Sequence, residues 1–327
     1  MRSVIALILV VVALIGHEAL AQQPAKVFRI GFLGPTSAAP PAISQVDVFR
    51  KALTDLGYDE GRDIIIEARW PDGEQLDRLS ELAGSLVSLK VDVIVAAGAT
   101  AARAAKGATA EIPIVFAGVV NPVATGLVAN TSKPEANVTG ATTFDPLQAG
   151  TQIELLKEAF PGLARIAVLT DSGATPSTFQ TVETAARTQG LQVQILKVER
   201  GEAIPDFDGV LEASMKEGAQ AIIVISTPVT TPHRRRIAQA AMRHRMPILS
   251  PREHADAGGL ITFGTGFSEA TRRTAIFVDK ILKGARPSEL PVETVRKHEL
   301  VINLKTAREL GVTFPSTFLG RATEVIQ

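Results

Sequence analysis

The sequence predicts an α/β protein of two doubly wound, Rossmann-like lobes, and three observations lead to this prediction. Two apolar runs, Val91–Ala97 and Ile112–Ala117, are dominated by β-branched residues and are too short for ordinary helices. Such runs are typical of strands that are buried on both faces of a parallel sheet. Each run is followed by a short Gly-containing loop and a segment that can be helical. The strand–loop–helix order starts again after residue 150, so a second unit of similar size follows the first.

The first lobe is predicted to alternate strands and helices from residue 27 onwards. In chain order the predicted elements are strand 27–33, helix 46–56, strand 62–69, helix 74–89, strand 91–97, helix 101–106, strand 112–117, helix 123–128 and strand 138–143. The first helix is predicted from an apolar stripe at Val46, Phe49, Leu53 and Leu56, and Gly57 stands where a helix commonly ends. The second helix carries leucines along one side.

The second lobe repeats the pattern, with Gly and Pro residues between the elements. Its predicted elements are helix 151–160, strand 165–170, helix 179–189, strand 192–198, helix 207–217, strand 221–225, helix 233–245, strand 247–249, strand 259–263, helix 269–283, strand 301–303 and a helical turn at 306–310. We expect the late strand and helix to return to the first lobe. The predicted partition is therefore 26–145 plus 258–286 for the first lobe, and 146–257 plus 287–327 for the second. Several crossings would make the cleft between the lobes a hinged one.

Residues 1–21 are predicted to be a cleavable targeting segment. Arg2 supplies the positive charge, residues 4–15 form the apolar core, and Ala19-Leu20-Ala21 matches a small-x-small cleavage site. The chain has no cysteine, which excludes structural disulfides, thiolate metal sites and a lipid-modified cysteine at the cleavage point. We therefore expect the mature protein to be free, without a lipid anchor, in an extracytoplasmic space, most simply a bacterial periplasm.

Composition and motifs argue against several classes of partner and chemistry. Lys+Arg and Asp+Glu both number 34, and the zero net charge argues against nucleic acid as a partner. The arginines at 234–236, 243 and 245 could form a phosphate-binding patch, but no aromatic platform accompanies them, so they are interpreted as the solvated face of helix 233–245. The histidines at 233, 244, 254 and 298 lack metal-binding spacing, and the common nucleophile and nucleotide motifs are absent, so neither a cofactor nor catalysis is expected. Glu253, His254 and Asp256 could form an acid–base cluster, but the ordinary polarity of a loop is the preferred interpretation.

Candidate ligand contacts lie in the loops after the predicted strands, because ligands of doubly wound sheets bind outside the carboxyl ends of the strands. Gly98-Ala99-Thr100 would place the N–H groups of a helix start at this edge, a site suited to a carboxylate. The alternative is that Thr100 only caps its own helix. Asn121 could orient a polar ligand or cap the helix that begins at Pro122. Thr36 and Ser37 offer hydroxyl groups in the first loop.

In the second lobe, Asp171-Ser172 and Ser226-Thr227 occupy the corresponding strand ends. An acidic residue there, opposite an anion-binding helix start, would suit a zwitterion such as an amino acid. Asp171 is the first candidate for the ammonium contact, and Glu253 is the second. The alternative for Asp171 is a local cap of a turn or helix.

Most of the mature chain resembles the periplasmic substrate-binding proteins of ABC importers, and specifically an uncharacterised group in which some members bind aromatic amino acids. The segments that carry the resemblance are FRKALTDLGYDEGRDIIIEAR (49–69), the stretch 91–128, NVTGATTF (137–144), and the end from 278–293 through 301–315. The chain differs from the family pattern at Ala99-Thr100, at Asn121 and at Glu135-Ala136. The first two differences lie in predicted cleft loops.

The resemblance implies the type I periplasmic binding-protein fold, in which about three crossovers form a hinge between two lobes, and it implies no catalysis. The implied function is the capture of a small molecule, expected to be an amino acid or a related small carboxylate, by a monomer that delivers it to an inner-membrane permease. Two alternatives stay open. One is a sensor subunit that presents its ligand to a membrane receptor, and the other is a secreted enzyme on a two-lobed α/β scaffold.

Overall fold

The chain forms two α/β lobes, each built around one β-sheet, in the computed structural model. The structure describes residues 26–34, 44–71, 78–123, 125–134, 136–174, 176–199, 204–227 and 229–327. The predicted targeting segment 1–21 lies outside the described residues, as do Thr36 and Ser37. Within the described ranges, every helix is too short or too polar to span a bilayer.

The first sheet has strand order β11-β5-β4-β3-β1-β2, and all of its pairings are parallel. Its strands are β1 (Phe28–Leu33), β2 (Ile64–Arg69), β3 (Val93–Ala97), β4 (Ile114–Ala117), β5 (Val138–Thr142) and β11 (Glu293–Thr294). The helices that cover it are α1 (Gln45–Asp55), α2 (Leu79–Ser88), α3 (Gly98–Ala108) and, from late in the chain, α8 (Phe267–Leu282).

The second sheet has strand order β13-β12-β10-β9-β8-β6-β7, with an antiparallel pair between β10 and β12. Its strands are β6 (Arg165–Asp171), β7 (Gln192–Val198), β8 (Ala221–Val224), β9 (Ile248–Ser250), β10 (Ile261–Thr265), β12 (His298–Asn303) and β13 (Glu324–Ile326). The helices of this lobe are α4 (Gln148–Ala159), α5 (Pro176–Thr188), α6 (Phe207–Lys216), α7 (Arg234–Arg243), α9 (Leu304–Leu310) and α10 (Ser316–Leu319), with a 3₁₀ helix at Arg252–Ala257.

Strand β3 shows why its sequence is apolar without alternation. Val93 and Val95 contribute to the core beneath α1 and α8, whereas Ile94 and Ala96 contribute to the core beneath α2 and α3. Successive side chains of a strand point to opposite faces, and both faces of this sheet are covered by helices. All five residues of β3 are at most 1% exposed. Burial of each Val or Ile side chain contributes roughly 1.5–3 kcal/mol, so this strand anchors the lobe.

The described chain crosses between the lobes three times. The first crossing follows β5, the second is Gly266 between β10 and α8, and the third joins β11 to β12. The predicted partition is therefore wrong for two segments. β10 pairs with β9 and β12 in the second sheet, although 258–286 had been assigned to the first lobe. Conversely, β11 pairs with β5 in the first sheet, although 287–327 had been assigned to the second.

The predicted helix at 123–128 is also wrong, because the described residues of this segment form hydrogen-bonded turns. The N–H groups of Leu127 and Val128 both donate to the carbonyl of Pro122, and that of Gly126 donates to Val123. Gly126 has a φ of +71°, a left-handed conformation that ends the turn before a helix can continue.

The crossovers bring the carboxyl edges of the two sheets face to face. Thr265, the last residue of β10, is separated from α8 on the first sheet by a single residue. The carboxyl end of β11 at Thr294 leads within three residues to His298, which pairs with Thr265. Because both sheets turn the same edge toward the crossovers, the loops after their strands line the space between the lobes.

Candidate ligand-binding cleft

On the first lobe, α3 begins directly at the carboxyl end of β3. Ala97 is both the last residue of the strand and the N-cap of the helix, and it makes no side-chain cap hydrogen bond. The alternative in which Thr100 is the N-cap is therefore wrong. Gly98 has a φ of +82°, which lets the chain turn from strand into helix without a loop. Gly98, Ala99 and Thr100 are part-exposed, so the uncapped N–H groups of this first turn can donate hydrogen bonds to a carboxylate.

The next loop, after β4, has strained backbone at the cleft edge. Asn121 has a φ of +47°, a left-handed conformation that is uncommon outside glycine. Its carbonyl accepts hydrogen bonds from the N–H and the hydroxyl of Thr125, 3.1 and 3.2 Å long. Asn121 is thus the start of a turn rather than the cap of a helix. Gly118, just before it, has a φ of +67°, and a Cβ there would overlap the ring of Phe267 at the start of α8.

On the second lobe, Asp171 is the last residue of β6 and is 0% exposed. Its Oδ1 accepts a 2.9 Å hydrogen bond from the N–H of Gly173, and its carbonyl accepts one from Ala174. Asp171 therefore caps the turn that leaves the strand, while Ser172 beside it is exposed. The Asp171 carboxylate is shielded from solvent in this structure.

The strand ends of β8 and β9 bring a second carboxylate to the cleft edge. Ser226 donates a 2.8 Å hydrogen bond from its hydroxyl to Oε1 of Glu253, and the hydroxyl of Thr231 lies 3.4 Å from that of Ser226. Burial raises the pKa of the Glu253 carboxyl above its usual value, although the hydrogen bond from Ser226 and the charges of Arg234 and Arg252 act in the opposite direction. A cation bound beside Glu253 would favour its ionised form.

Thr227 is held by its own loop. Its hydroxyl accepts a hydrogen bond from the N–H of Thr230 at 3.1 Å, and its N–H donates to the Thr230 hydroxyl at 2.9 Å. The side chain is only 8% exposed. Thr227 therefore shapes the loop that presents Ser226.

Two arginines stand beside Glu253, and they differ in how they are paired. The guanidinium of Arg252 donates to Glu299 at 2.6 Å and to Glu324 at 3.0 Å. Arg234 begins α7, is part-buried, and donates one hydrogen bond of 3.3 Å to the carbonyl of Thr231. Burial and the positive charge of Arg234 lower the pKa of His254 to about 3, so this imidazole is neutral at physiological pH.

At the base of the cleft, the crossovers are tied to one another. The Thr265 hydroxyl donates to the carbonyl of Val295 at 2.9 Å, and the Val295 N–H donates to the carbonyl of Thr142 at 2.9 Å. The buried carboxylate of Asp145, on the first crossover, lies 3.4 Å from Nε of Arg296 on the third. A change in the angle between the two lobes would therefore alter these contacts.

The sequence predicts the strand-end loops but not the part-buried position of Arg234, the crossover contact of Asp145 or the contact of Phe267 with Gly118. For Arg234 a signal existed, because positive charge in the first turn of a helix opposes the helix dipole. The positions of Asp145 and Phe267 depend on which sheet each flanking strand joins. Among the described residues, no group of three or more His, Cys, Asp or Glu side chains is placed to hold a metal ion.

Most of the chain is similar to known proteins. A family model described as "ABC transporter substrate binding protein" matches residues 39–326. A tyrosine-binding protein of Clostridioides difficile (strain R20291) is 28% identical over 275 residues, which cover 81% of this chain and 75% of that protein.

Two solved structures are similar over nearly the whole chain. A conserved domain protein from Vibrio cholerae O1 biovar El Tor gives a TM-score of 0.80 at 25% identity, covering 92% of this chain and 100% of that one. The ABC domain in complex with L-Trp from Streptococcus pneumonia gives a TM-score of 0.79 at 25% identity, with coverage of 92% and 100%.

Proposed function

The chain belongs to the family of ABC transporter substrate-binding proteins, and from this premise we propose that it is the extracytoplasmic solute-binding component of an ABC importer. Its fold is the two-lobed type I fold of periplasmic binding proteins. The protein traps an amino acid or a related small carboxylate between its lobes by hinge closure and delivers it to a permease in the inner membrane. The segment 1–21 directs its export to the periplasm, where the mature protein acts as a monomer without a lipid anchor.

One observation supports this proposal: the carboxyl edges of both sheets face the crossovers, with an uncapped helix start after β3 on one lobe and the Ser226–Glu253 pair after β8 and β9 on the other. The first turn of α3 suits the α-carboxylate of an amino acid. Glu253, held by Ser226, suits the ammonium group better than Asp171 does, because Asp171 is fully buried and caps its own turn. The relatives named for tyrosine and found with L-Trp support an amino acid, with aromatic ones to be tested first.

A thermal-shift screen of the twenty amino acids, small carboxylates and nucleosides tests the proposed ligand class. A ligand at about 100 times its Kd stabilises the native state by roughly 2.7 kcal/mol, which gives a measurable rise in Tm. Trp70, the only tryptophan of the chain, directly follows β2 at the cleft edge of the first sheet, so its fluorescence provides a second signal. An absence of any shift with amino acids or carboxylates would reject the proposed ligand class.

The role of Glu253 is tested with a matched pair of variants. Glu253→Gln should weaken amino-acid binding about 10- to 100-fold, the effect of removing a charged hydrogen-bond partner. Asp256→Asn, an exposed change in the same 3₁₀ helix, should leave the affinity unchanged. Equal affinities of the two variants would remove Glu253 from the site.

A further inference from the structure

Helix α7 begins with a feature that its sequence alone does not explain. Its first turn contains Arg234, Arg235 and Arg236 and no acidic residue, and its N-cap makes no side-chain hydrogen bond. Positive charges at this end of a helix are unfavourable because they meet the positive end of the helix dipole. A basic helix start is therefore expected where an anion compensates for it.

Arg234 differs from its two neighbours in where it lies. It shares the helical stripe of Ile237, Ala238 and Ala241, which are buried against the second sheet. Arg235 and Arg236 are exposed, whereas Arg234 is part-buried. Because α7 follows β8, its first turn stands at the carboxyl edge of the sheet, so the stripe leads the Arg234 side chain over that edge. The sequence-based interpretation of a solvated face thus holds for its neighbours and is wrong for Arg234.

The guanidinium of Arg234 has few partners among the residues that the structure describes. It makes the one hydrogen bond to Thr231 and no ion pair within 4 Å in the described chain, although its charge acts on the nearby Glu253 carboxyl. Arg243, at the other end of the same helix, is by contrast paired with Asp208 at 2.5 Å. Nearby, His254 is 2% exposed, and its Nε2 has no hydrogen-bond partner in the described part of the chain. This strand-end cluster therefore holds polar groups whose hydrogen bonding is incomplete.

The strands that precede α3 and α7 occupy equivalent places in the two sheets. β3, which leads into α3, is two strands from the crossover strand β5. β8, which leads into α7, is likewise two strands from the crossover strand β10. Since neighbouring strands are about 4.8 Å apart, the carboxyl ends of β3 and β8 both lie roughly 10 Å from the hinge strands. Helix α3 follows β3 directly, and residues 225–233 join β8 to α7. Closure about the hinge brings such equivalent positions together.

We propose that Arg234 is the second lobe's contact to the ligand carboxylate, which it clamps against the first turn of α3 when the cleft closes. A carboxylate has two oxygens, so one can accept from the N–H groups of α3 while the other accepts from the guanidinium. The assignment rests on the proposed function, and it identifies the carboxylate as the ligand group that links the two lobes. Glu253 remains the partner of the ammonium group.

The test uses isothermal titration of L-tyrosine and of tyramine, which lacks the carboxylate, into four proteins: the wild type, Arg234→Gln, Arg234→Lys and Arg235→Gln. Arg234→Gln should bind tyrosine about 10- to 100-fold more weakly, while its affinity for tyramine equals that of the wild type. Arg234→Lys should recover part of the tyrosine affinity, since a lysine keeps the charge without the planar fork. Arg235→Gln should behave as the wild type. Melting of the unliganded variants checks that each is folded.

The outcomes separate the clamp from the function on which it rests. Tyrosine binding by the wild type with equal affinity in Arg234→Gln overturns the clamp and leaves the binding function in place. A loss of tyrosine and tyramine affinity by the same factor also overturns it, because the effect is then independent of the carboxylate. A wild type that binds neither compound, nor any amino acid or carboxylate in the thermal-shift screen, overturns the proposed function and the clamp with it.

Discussion

The neutral, buried His254 should make the protein sensitive to acid in a defined pH range. The imidazole is 2% exposed and lies within the field of Arg234, and burial is the larger of the two causes that lower its pKa to about 3. In the unfolded chain the same group has a pKa near 6.5. Protonation therefore favours the unfolded state between these two values.

The size of the effect follows from proton linkage. Below pH 6.5 the unfolded state binds more protons than the folded state, so the free energy of unfolding falls as the pH falls, by up to about 1.4 kcal/mol per pH unit until the folded pKa is reached. Between pH 7.5 and pH 5.0 the contribution of His254 amounts to about 2 kcal/mol. For a lobe of 150–250 residues this corresponds to a decrease of about 4–8 °C in Tm.

Thermal melts of the wild type and of His254→Gln at half-unit pH steps measure this contribution. The carboxylates contribute equally to both proteins, so the difference between the two slopes isolates His254. If His254→Gln loses stability toward pH 5 as steeply as the wild type, the buried imidazole is not the source, and the argument from its burial fails.

Two other predictions concern single residues of the first lobe. Tyr58, the only tyrosine, donates a 2.9 Å hydrogen bond to Asp279, and burial together with this carboxylate raises the pKa of its hydroxyl to about 12. Absorbance at pH 11 should therefore show an un-ionised phenol in the folded protein. Asp279→Asn should lower the midpoint pH of the phenol titration. Gly118→Ala should destabilise by about 1–3 kcal/mol in chemical denaturation, because φ is +67° and the new Cβ meets Phe267. Gly84→Ala in α2, where nothing lies within 4 Å, should instead stabilise by about 1 kcal/mol. Destabilisation of both glycine variants would contradict the account of Gly84, and an ionised Tyr58 at pH 11 would contradict the account of its pKa.

The local elements were predictable because their signals are local. The apolar runs of β3 and β4 and the stripe of α1 each depend on residues within one element, and their positions are confirmed to within a few residues. The assignment of β10 to a lobe is a different kind of question. Its side chains would suit either sheet, and its place is decided by pairing with β12, whose residues lie some 40 positions later. The two residues of β11 are too few to produce a periodic signal at all.

In the candidate site, too, the positions of the polar residues were predictable from the sequence, but their hydrogen-bond partners were not. Strand-end polar residues were found because α/β sheets place them at one edge, but their hydrogen bonds could not be read from spacing. Asp171 uses Oδ1 for Gly173, and Thr227 uses its hydroxyl for Thr230, so two of the predicted ligand contacts first serve their own turns. Ser226 donates a hydrogen bond to Glu253, which fixes that carboxylate in position to accept a hydrogen bond from a ligand.

A polar residue at a strand end is therefore a weak indicator of a ligand contact, because turns need such residues whether or not a ligand binds. A stronger indicator is a charged group whose placement disfavours the fold and which forms no ion pair within the described chain. Arg234 meets this condition, since it stands at the positive end of α7 with a single 3.3 Å hydrogen bond in the described chain. Natural sequences depart from local rules mainly where function requires it. On this argument Arg234 is a better guide to the ligand than Asp171, although the sequence pattern favoured Asp171 and assigned Arg234 to a solvated face.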